Sequence, residues 1–403
     1  MPNISQRAVA LPASPIRKLV PFAEKAKKMG KKVYHLNIGQ PDVQTPETFW
    51  KAIQNHNLKV LEYTHSAGME SYRKKLSQYY QKHDIFVSYE DIIITVGGSE
   101  ALFFAMYTCM NPNEEIIIPE PFYTNYNAFA QIAGVKVVPV PSRIEEGFKL
   151  PPISEFEQRI TDKTKAILIA NPGNPTGYIY TREELEQLKQ LVLKYDLFLI
   201  SDEVYREFIY DDKPYVSVMH LSGIEDRTIL VDSVSKRYSA CGARIGALVC
   251  KNKEIIQSAL KMGQARLCAP MLEQIACEAA VDTPQSYFDA VTQDYVARRN
   301  VVLEGLSRIP NVIYNVPSGA FYLMAKFPIE SSEHFCQWLL ENFEYNNETV
   351  MLAPAGGFYA TPGAGKSEVR IAYVLEVNEL KKAMVCLQKG LEQYLQQSFS
   401  INL

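Results

Sequence analysis

The chain has 403 residues, a hydrophobic fraction of 47%, a charged fraction of 22% and a formal net charge of −3. This is an ordinary globular composition, long enough for a large domain with a smaller one attached. The small negative charge, with no basic tail, excludes an electrostatic case for nucleic acid or for an anionic membrane surface. The first residues, MPNISQRAVALPASPIRKLV, lack the long apolar core of a signal peptide. No stretch reaches the roughly 18 apolar residues of a membrane span.

In chain order, the first forty residues contain no strand of a main sheet and are expected to pack elsewhere, on a C-terminal unit. Short β-branched runs then follow: DIIITV (91–96), EIII (115–118), VKVVPV (135–140), KAILIA (165–170), LFLIS (197–201), TILVD (228–232) and IGALVC (245–250). Each is bounded by Gly, Pro, Asn or Asp, as expected of strands buried on both faces. Helical patterns lie between several of them. Thr181-Arg-Glu-Glu184 predicts a capping box, and Leu185, Leu188, Val192 and Tyr195 repeat at helical spacing behind it. Strand alternating with helix predicts a mostly parallel, doubly wound α/β sheet over about 90–250. After about 255 the pattern changes. Long helical segments over 253–308 precede GAFYLMAKF (319–327), TVMLAPA (349–355) and VRIAYV (369–374), which read as a smaller α+β unit.

The seven cysteines are scattered without C-x-x-C, which predicts free thiols in a reducing compartment and a cytoplasmic protein. The six histidines form no ligand cluster, so no metal site is expected.

Ligands of an open parallel sheet bind beyond the carboxyl ends of its strands. That rule selects Gly97-Gly98-Ser99-Glu100 at a helix start, where free amides and the dipole suit an anion. It also selects Asn171-Pro-Gly-Asn174-Pro-Thr-Gly177, Asp202-Glu203-Val204-Tyr205, and VDSVSKRYSACGARIG (231–246) with Ser233, Ser235, Lys236 and Arg244. Singly, each has an ordinary reading: a turn, a helix cap, a solvated lysine, half of an ion pair. Their convergence on one edge argues for a site. A lysine amine condenses with an aldehyde. A carboxylate keeps a pyridine nitrogen protonated. Hydroxyls, a helix N-terminus and an arginine hold a phosphate. Aldehyde, pyridine and phosphate together describe pyridoxal 5′-phosphate.

Ser-x-Ser-Lys followed by Gly-x-Arg-Ile-Gly, with Asn-Pro-x-Asn-Pro-Thr-Gly and Ser-Asp-Glu-Val-Tyr upstream, resembles the class I/II aminotransferases of PLP fold type I, the aspartate aminotransferase-like family. The likeness runs from LNIGQPD (36–42) to Arg370. It implies a seven-stranded, mostly parallel sheet sandwiched by helices in a large domain over 46–290. A small domain would comprise 1–45 plus 291–403. It implies transfer of an amino group between an L-amino acid and a 2-oxo acid, through an aldimine on Lys236 and through pyridoxamine phosphate. The freed Lys236 amine would move the proton between Cα and C4′. Asp202 would pair with the ring nitrogen, and Tyr205 and Asn174 would reach the ring oxygen. Gly98, Ser99, Glu100, Ser233, Ser235 and Arg244 would hold the phosphate. Tyr123, in EPFYTNY, would stack on the ring. Arg370 and the backbone at Gly39 would hold the substrate carboxylate. Tyr63, in EYTHSAG, would reach the phosphate of a neighbouring subunit, which implies a homodimer with shared sites. Relatives that use aspartate often carry a cation after the paired glycines; Ser99 stands there, so the amino donor stays open, with Arg17 a possible substitute.

Other readings are weaker. Ser233-Val-Ser-Lys236 fits S-x-x-K, yet no K-T-G partner occurs. Gly363-Ala-Gly365-Lys366-Ser367 resembles the end of a P-loop, yet Ala360 stands where glycine is needed. A cofactor-binding regulator would need a basic helical segment that is absent. A C–S β-lyase or another fold type I enzyme on an amino acid is the alternative from the same site.

Overall fold

The computed structural model describes residues 2–11, 16–55 and 57–401. In chain order its strands are β1 (Lys32–His35), β2 (Ile92–Thr95), β3 (Glu115–Glu120), β4 (Lys136–Pro141), β5 (Thr164–Ala170), β6 (Phe198–Asp202), β7 (Thr228–Ser233), β8 (Gly246–Val249), β9 (Ile313–Tyr314), β10 (Tyr322–Lys326), β11 (Glu348–Met351), β12 (Ala353–Pro354) and β13 (Glu368–Ala372).

The seven apolar runs of the first part become β2 to β8, one sheet in the order β2-β8-β7-β6-β5-β3-β4. β3, β4, β5, β6 and β7 pair in parallel. Only β8 opposes its neighbours, β2 and β7. Continuous apolar runs fit because helices cover both faces. On β3, Ile116 and Ile118 face the helices Gly97–Cys109 and Lys253–Arg266, in a core with Ala101, Leu102, Ala105, Ile255 and Ala259. Ile117 between them faces the other way, onto Leu185, Leu188 and Val192 of the helix Arg182–Tyr195. The period of two along the strand decides which helix each isoleucine meets. The helix Arg182–Tyr195 starts as its sequence predicts. Thr181 Oγ1 accepts from Glu184 N (3.2 Å), and Glu184 Oε2 accepts from Thr181 N (2.7 Å).

The C-terminal strands form an antiparallel sheet in the order β12-β13-β10-β9. The run TVMLAPA, expected as one element, divides between two sheets. β11 pairs in parallel with β1, and β12 pairs with β13. Through β1, residues Lys32–His35 dock on Glu348–Met351, which ties the N-terminal stretch to the C-terminal unit. Three helices, Lys253–Arg266, Met271–Ala280 and Gln285–Ser307, fill the long helical segment. Among the described residues no helix is long and apolar enough to cross a membrane, and no cluster of metal-ligating side chains occurs.

Candidate active site

β2, β5, β6 and β7 point the same way, so their carboxyl ends meet along one edge. At the end of β7 the chain turns into the short helix Val234–Arg237. Ser233 caps it: its Oγ accepts from Ser235 N (3.1 Å) and lies 2.9 Å from Ser235 Oγ. This turn throws the Lys236 side chain back over the sheet edge, where Nζ donates to Gly39 O (2.9 Å) and lies 3.7 Å from Cys241 Sγ.

A buried charge cluster fixes the turn from below. The Asp232 carboxylate accepts from Arg237 and from Tyr80 Oη (2.8 Å), with Arg206 Nη1 at 3.7 Å. Burial works against this charge, but Arg237 and Arg206 outweigh it and hold the carboxyl below its usual range. Removing one partner of such a buried cluster leaves an uncompensated charge and is strongly destabilising.

Asp202, the last residue of β6, is buried. Its Oδ2 accepts from Tyr126 Oη (2.8 Å), and Val204 N approaches Oδ1 at 3.4 Å. Burial pushes its pKa up to about 6, with Asp232 and Glu203 adding repulsion and the hydrogen bonds from Tyr126 and Val204 opposing. Among the described residues no cation pairs with this carboxylate, which suits a protonated ring nitrogen.

The glycines fit an anion cradle. Gly97 has φ +74°, and a Cβ there would lie 2.4 Å from Arg244 Nη2. A Cβ on Gly246 would lie 2.5 Å from Gly97 C and 2.6 Å from Gly98 N. Close approach of these backbones puts the exposed Arg244 guanidinium beside the start of the helix Gly97–Cys109, whose first amides have no intrahelical acceptor. Ser99 and Glu100 lie in its first turn; Glu100 Oε2 accepts from Val96 N (2.8 Å) and lies 3.4 Å from Arg266 Nη1.

Arg370 on β13 is buried. Nη1 donates to Asn174 Oδ1 (2.9 Å) and Nη2 donates to Asn37 O (2.5 Å). Its Cζ lies 4.4 Å from the Tyr322 ring centroid and 4.9 Å from that of Phe358. Among the described residues its Nε is buried without a hydrogen-bond partner. Burial pulls the guanidinium pKa down, opposed by Tyr322, Tyr205 and Tyr123. Because Arg370 takes the Asn174 oxygen, the Asn174 amide nitrogen remains as a donor. Tyr205 Oη lies 2.9 Å from Tyr322 Oη, and burial, then Tyr322, raises its pKa well above the usual value. Tyr123 is half-buried, held by Asn125 Nδ2 on its hydroxyl (2.8 Å) and pushed up to about 12 by burial.

The sequence-predicted residues therefore cluster, apart from two candidates, Tyr63 and Arg17. Tyr63 is 76% exposed, on a segment where Val60 and Leu61 are also 71% and 64% exposed. Arg17 is also exposed. Sequence reasoning missed Tyr126, Tyr322, Phe358 and Asn37. Tyr126 stands three residues after Tyr123 in the same motif, and Asn37 lies in the stretch LNIGQPD where the likeness begins, so both carried a signal; Tyr322 and Phe358 had none.

The family described as aminotransferase class I and II matches residues 31–385, so the chain belongs to it and is a transaminase. It is 30% identical over 404 residues to the aspartate aminotransferase of Bacillus subtilis strain 168, covering 97% of this chain and all of that one. It is 29% identical to the aromatic-amino-acid aminotransferase 2 of Thermococcus litoralis, covering 97% of this chain and 98% of the relative. Among solved structures, the alanine aminotransferase from Pyrococcus furiosus superposes with a TM-score of 0.88 at 28% identity, over 97% of this chain and all of that one. The three differ in the amino acid they are named for.

Proposed function

We propose that the enzyme binds pyridoxal 5′-phosphate on Lys236 and exchanges the amino group of an L-amino acid with a 2-oxo acid. The observation that carries this reading is the Lys236 amine set at the end of β7, on the edge where Asp202, Tyr205, Asn174 and Arg370 converge. The cofactor, when bound, supplies an electron sink for the bond broken at the substrate α-carbon. The chain does the rest. Asp202 keeps the ring nitrogen protonated, with Tyr126 orienting its carboxylate. Tyr205 and the Asn174 amide donate to the ring oxygen. Tyr123 covers the ring face. Gly98, Ser99, Glu100, Ser233, Ser235 and Arg244 hold the phosphate. The Lys236 amine, once released by the substrate, holds and returns the α-proton. Arg370 clamps the α-carboxylate, beside the Gly39 backbone.

The reading extends to assembly. The sheet of β2–β8 and the C-terminal sheets support a large domain over 46–290 and a small domain over 1–45 plus 291–403. The exposed apolar segment at Val60, Leu61 and Tyr63 suits a homodimer in which Tyr63 completes the partner's phosphate site. A cytoplasmic location suits seven cysteines that are all free.

Arg370→Lys is expected to raise KM about ten- to a hundredfold for every amino acid tested, because lysine loses both the fork and the stacking on Tyr322 and Phe358. A rise confined to one amino acid would mean that Arg370 reads side chains. The reading as a whole is tested with a panel of amino donors against 2-oxoglutarate, pyruvate and oxaloacetate. Stoichiometric formation of new amino and oxo acids supports it. Pyruvate with ammonia from a sulfur-containing donor would instead identify a β-lyase.

A further inference from the structure

Tyr322 opens β10, buried at 2% exposure, and its phenol stands where three parts of the site meet. Its Oη lies 2.9 Å from Tyr205 Oη. Its ring lies under the Arg370 guanidinium. A Cβ on Gly39 would fall 1.7 Å from the same Oη, so this hydroxyl fills the space a side chain at 39 would need. The Gly39 carbonyl in turn holds the Lys236 amine.

We propose that Tyr322 is a positioning residue: its hydroxyl donates to Tyr205, which obliges Tyr205 to donate into the cofactor pocket. The proposal rests on the cofactor reading given above. The argument is a proton count. Each phenol has one proton, and among the described residues each side chain has the other as its only hydrogen-bond partner. If Tyr205 donates to a ring oxygen, the proton between the two phenols belongs to Tyr322. The chain then runs Tyr322 to Tyr205 to the pocket, and each bond polarises the next. Tyr322 thereby also links the carboxylate clamp to the group that tunes the cofactor, since one ring supports Arg370 and one hydroxyl orients Tyr205.

The consequence is spectroscopic. A donor on the ring oxygen stabilises the anionic ring that remains when the proton leaves the lysine–cofactor linkage, and weakening that donor raises the pH at which the visible band changes. The holoenzyme is titrated by absorbance as wild type, Tyr322→Phe, Tyr205→Phe and the double variant. Tyr322→Phe keeps the ring under Arg370 and removes only the hydroxyl. It is expected to raise the midpoint by about half a unit to one unit. Tyr205→Phe is expected to raise it further, and the double variant no further than Tyr205→Phe alone. In turnover, Tyr322→Phe should lower kcat more than it changes KM, because the clamp on the carboxylate remains. If Tyr205→Phe moves the midpoint and Tyr322→Phe does not, or if the two shifts add in full, the proposal is overturned while the cofactor reading stands. If Tyr205→Phe moves nothing, Tyr205 does not donate to the ring oxygen and this proposal fails with that role; if no visible band forms on wild type, the cofactor reading itself fails and the proposal fails with it.

Discussion

Lys236→Ala is expected to lower turnover by at least about 10⁴-fold and to abolish covalent capture of pyridoxal phosphate. The side chain is half-buried and its amine bonds only the Gly39 backbone oxygen and, at 3.7 Å, Cys241 Sγ, so its loss leaves the turn intact. That turn is set by Ser233 at its cap and by Asp232, Arg237 and Tyr80 beneath it, none of which involves the amine. The variant should therefore fold, with a circular dichroism spectrum and melting temperature near wild type, and still fail. Steady-state assays with saturating cofactor check this. Activity within tenfold of wild type would remove Lys236 from the chemistry.

The second large effect is expected at Asp202, where stability and function pull in opposite directions. An aspartate with an ordinary pKa of 3.8 and a folded value of about 6 is harder to ionise folded than unfolded. Well below pH 3.8 both states are protonated and the group contributes nothing. As pH rises from 4 to 6 the unfolded chain ionises first, and folding loses up to about 3 kcal/mol, a penalty that then stays constant above pH 6. Asp202→Asn removes the charge and keeps an acceptor for Tyr126 Oη. The cofactor-free variant is expected to melt a few degrees above wild type at pH 7 and to draw level with it below about pH 3. With cofactor the order reverses: the ring nitrogen loses its partner, cofactor affinity falls, and turnover drops on the order of 10²-fold or more. Thermal melts across pH, with and without cofactor, check both halves. A variant that is less stable without cofactor, or as active with it, would contradict this account of Asp202.

Much of this was legible in the chain. Runs such as KAILIA and TILVD are too apolar for anything but strands buried on both faces, and seven of them interleaved with helices leave few topologies. The rule that ligands sit at the carboxyl ends then picks out Asp202, Ser233, Lys236 and the paired glycines from the sequence. What stayed hidden depends on contacts distant in sequence. The pairing of Lys32–His35 with Glu348–Met351 has no local signature, and it is what splits TVMLAPA between two sheets. Tyr322 read as one more strand residue in GAFYLMAKF, because its register opposite Ala372 and its reach to Tyr205 and Gly39 exist only once β10 and β13 pair. Tyr63 shows the converse. Its sequence context implied a place at the site, yet its side chain stands in solvent on this chain, and its part is testable only in the assembled protein.

The most direct test of the central claim is to incubate the purified protein with pyridoxal phosphate, reduce it with borohydride, and map the modified peptide by mass spectrometry. The account predicts one pyridoxyl phosphate per chain, on the peptide containing Lys236 and on that lysine. A label on another lysine, or none at all, would contradict it.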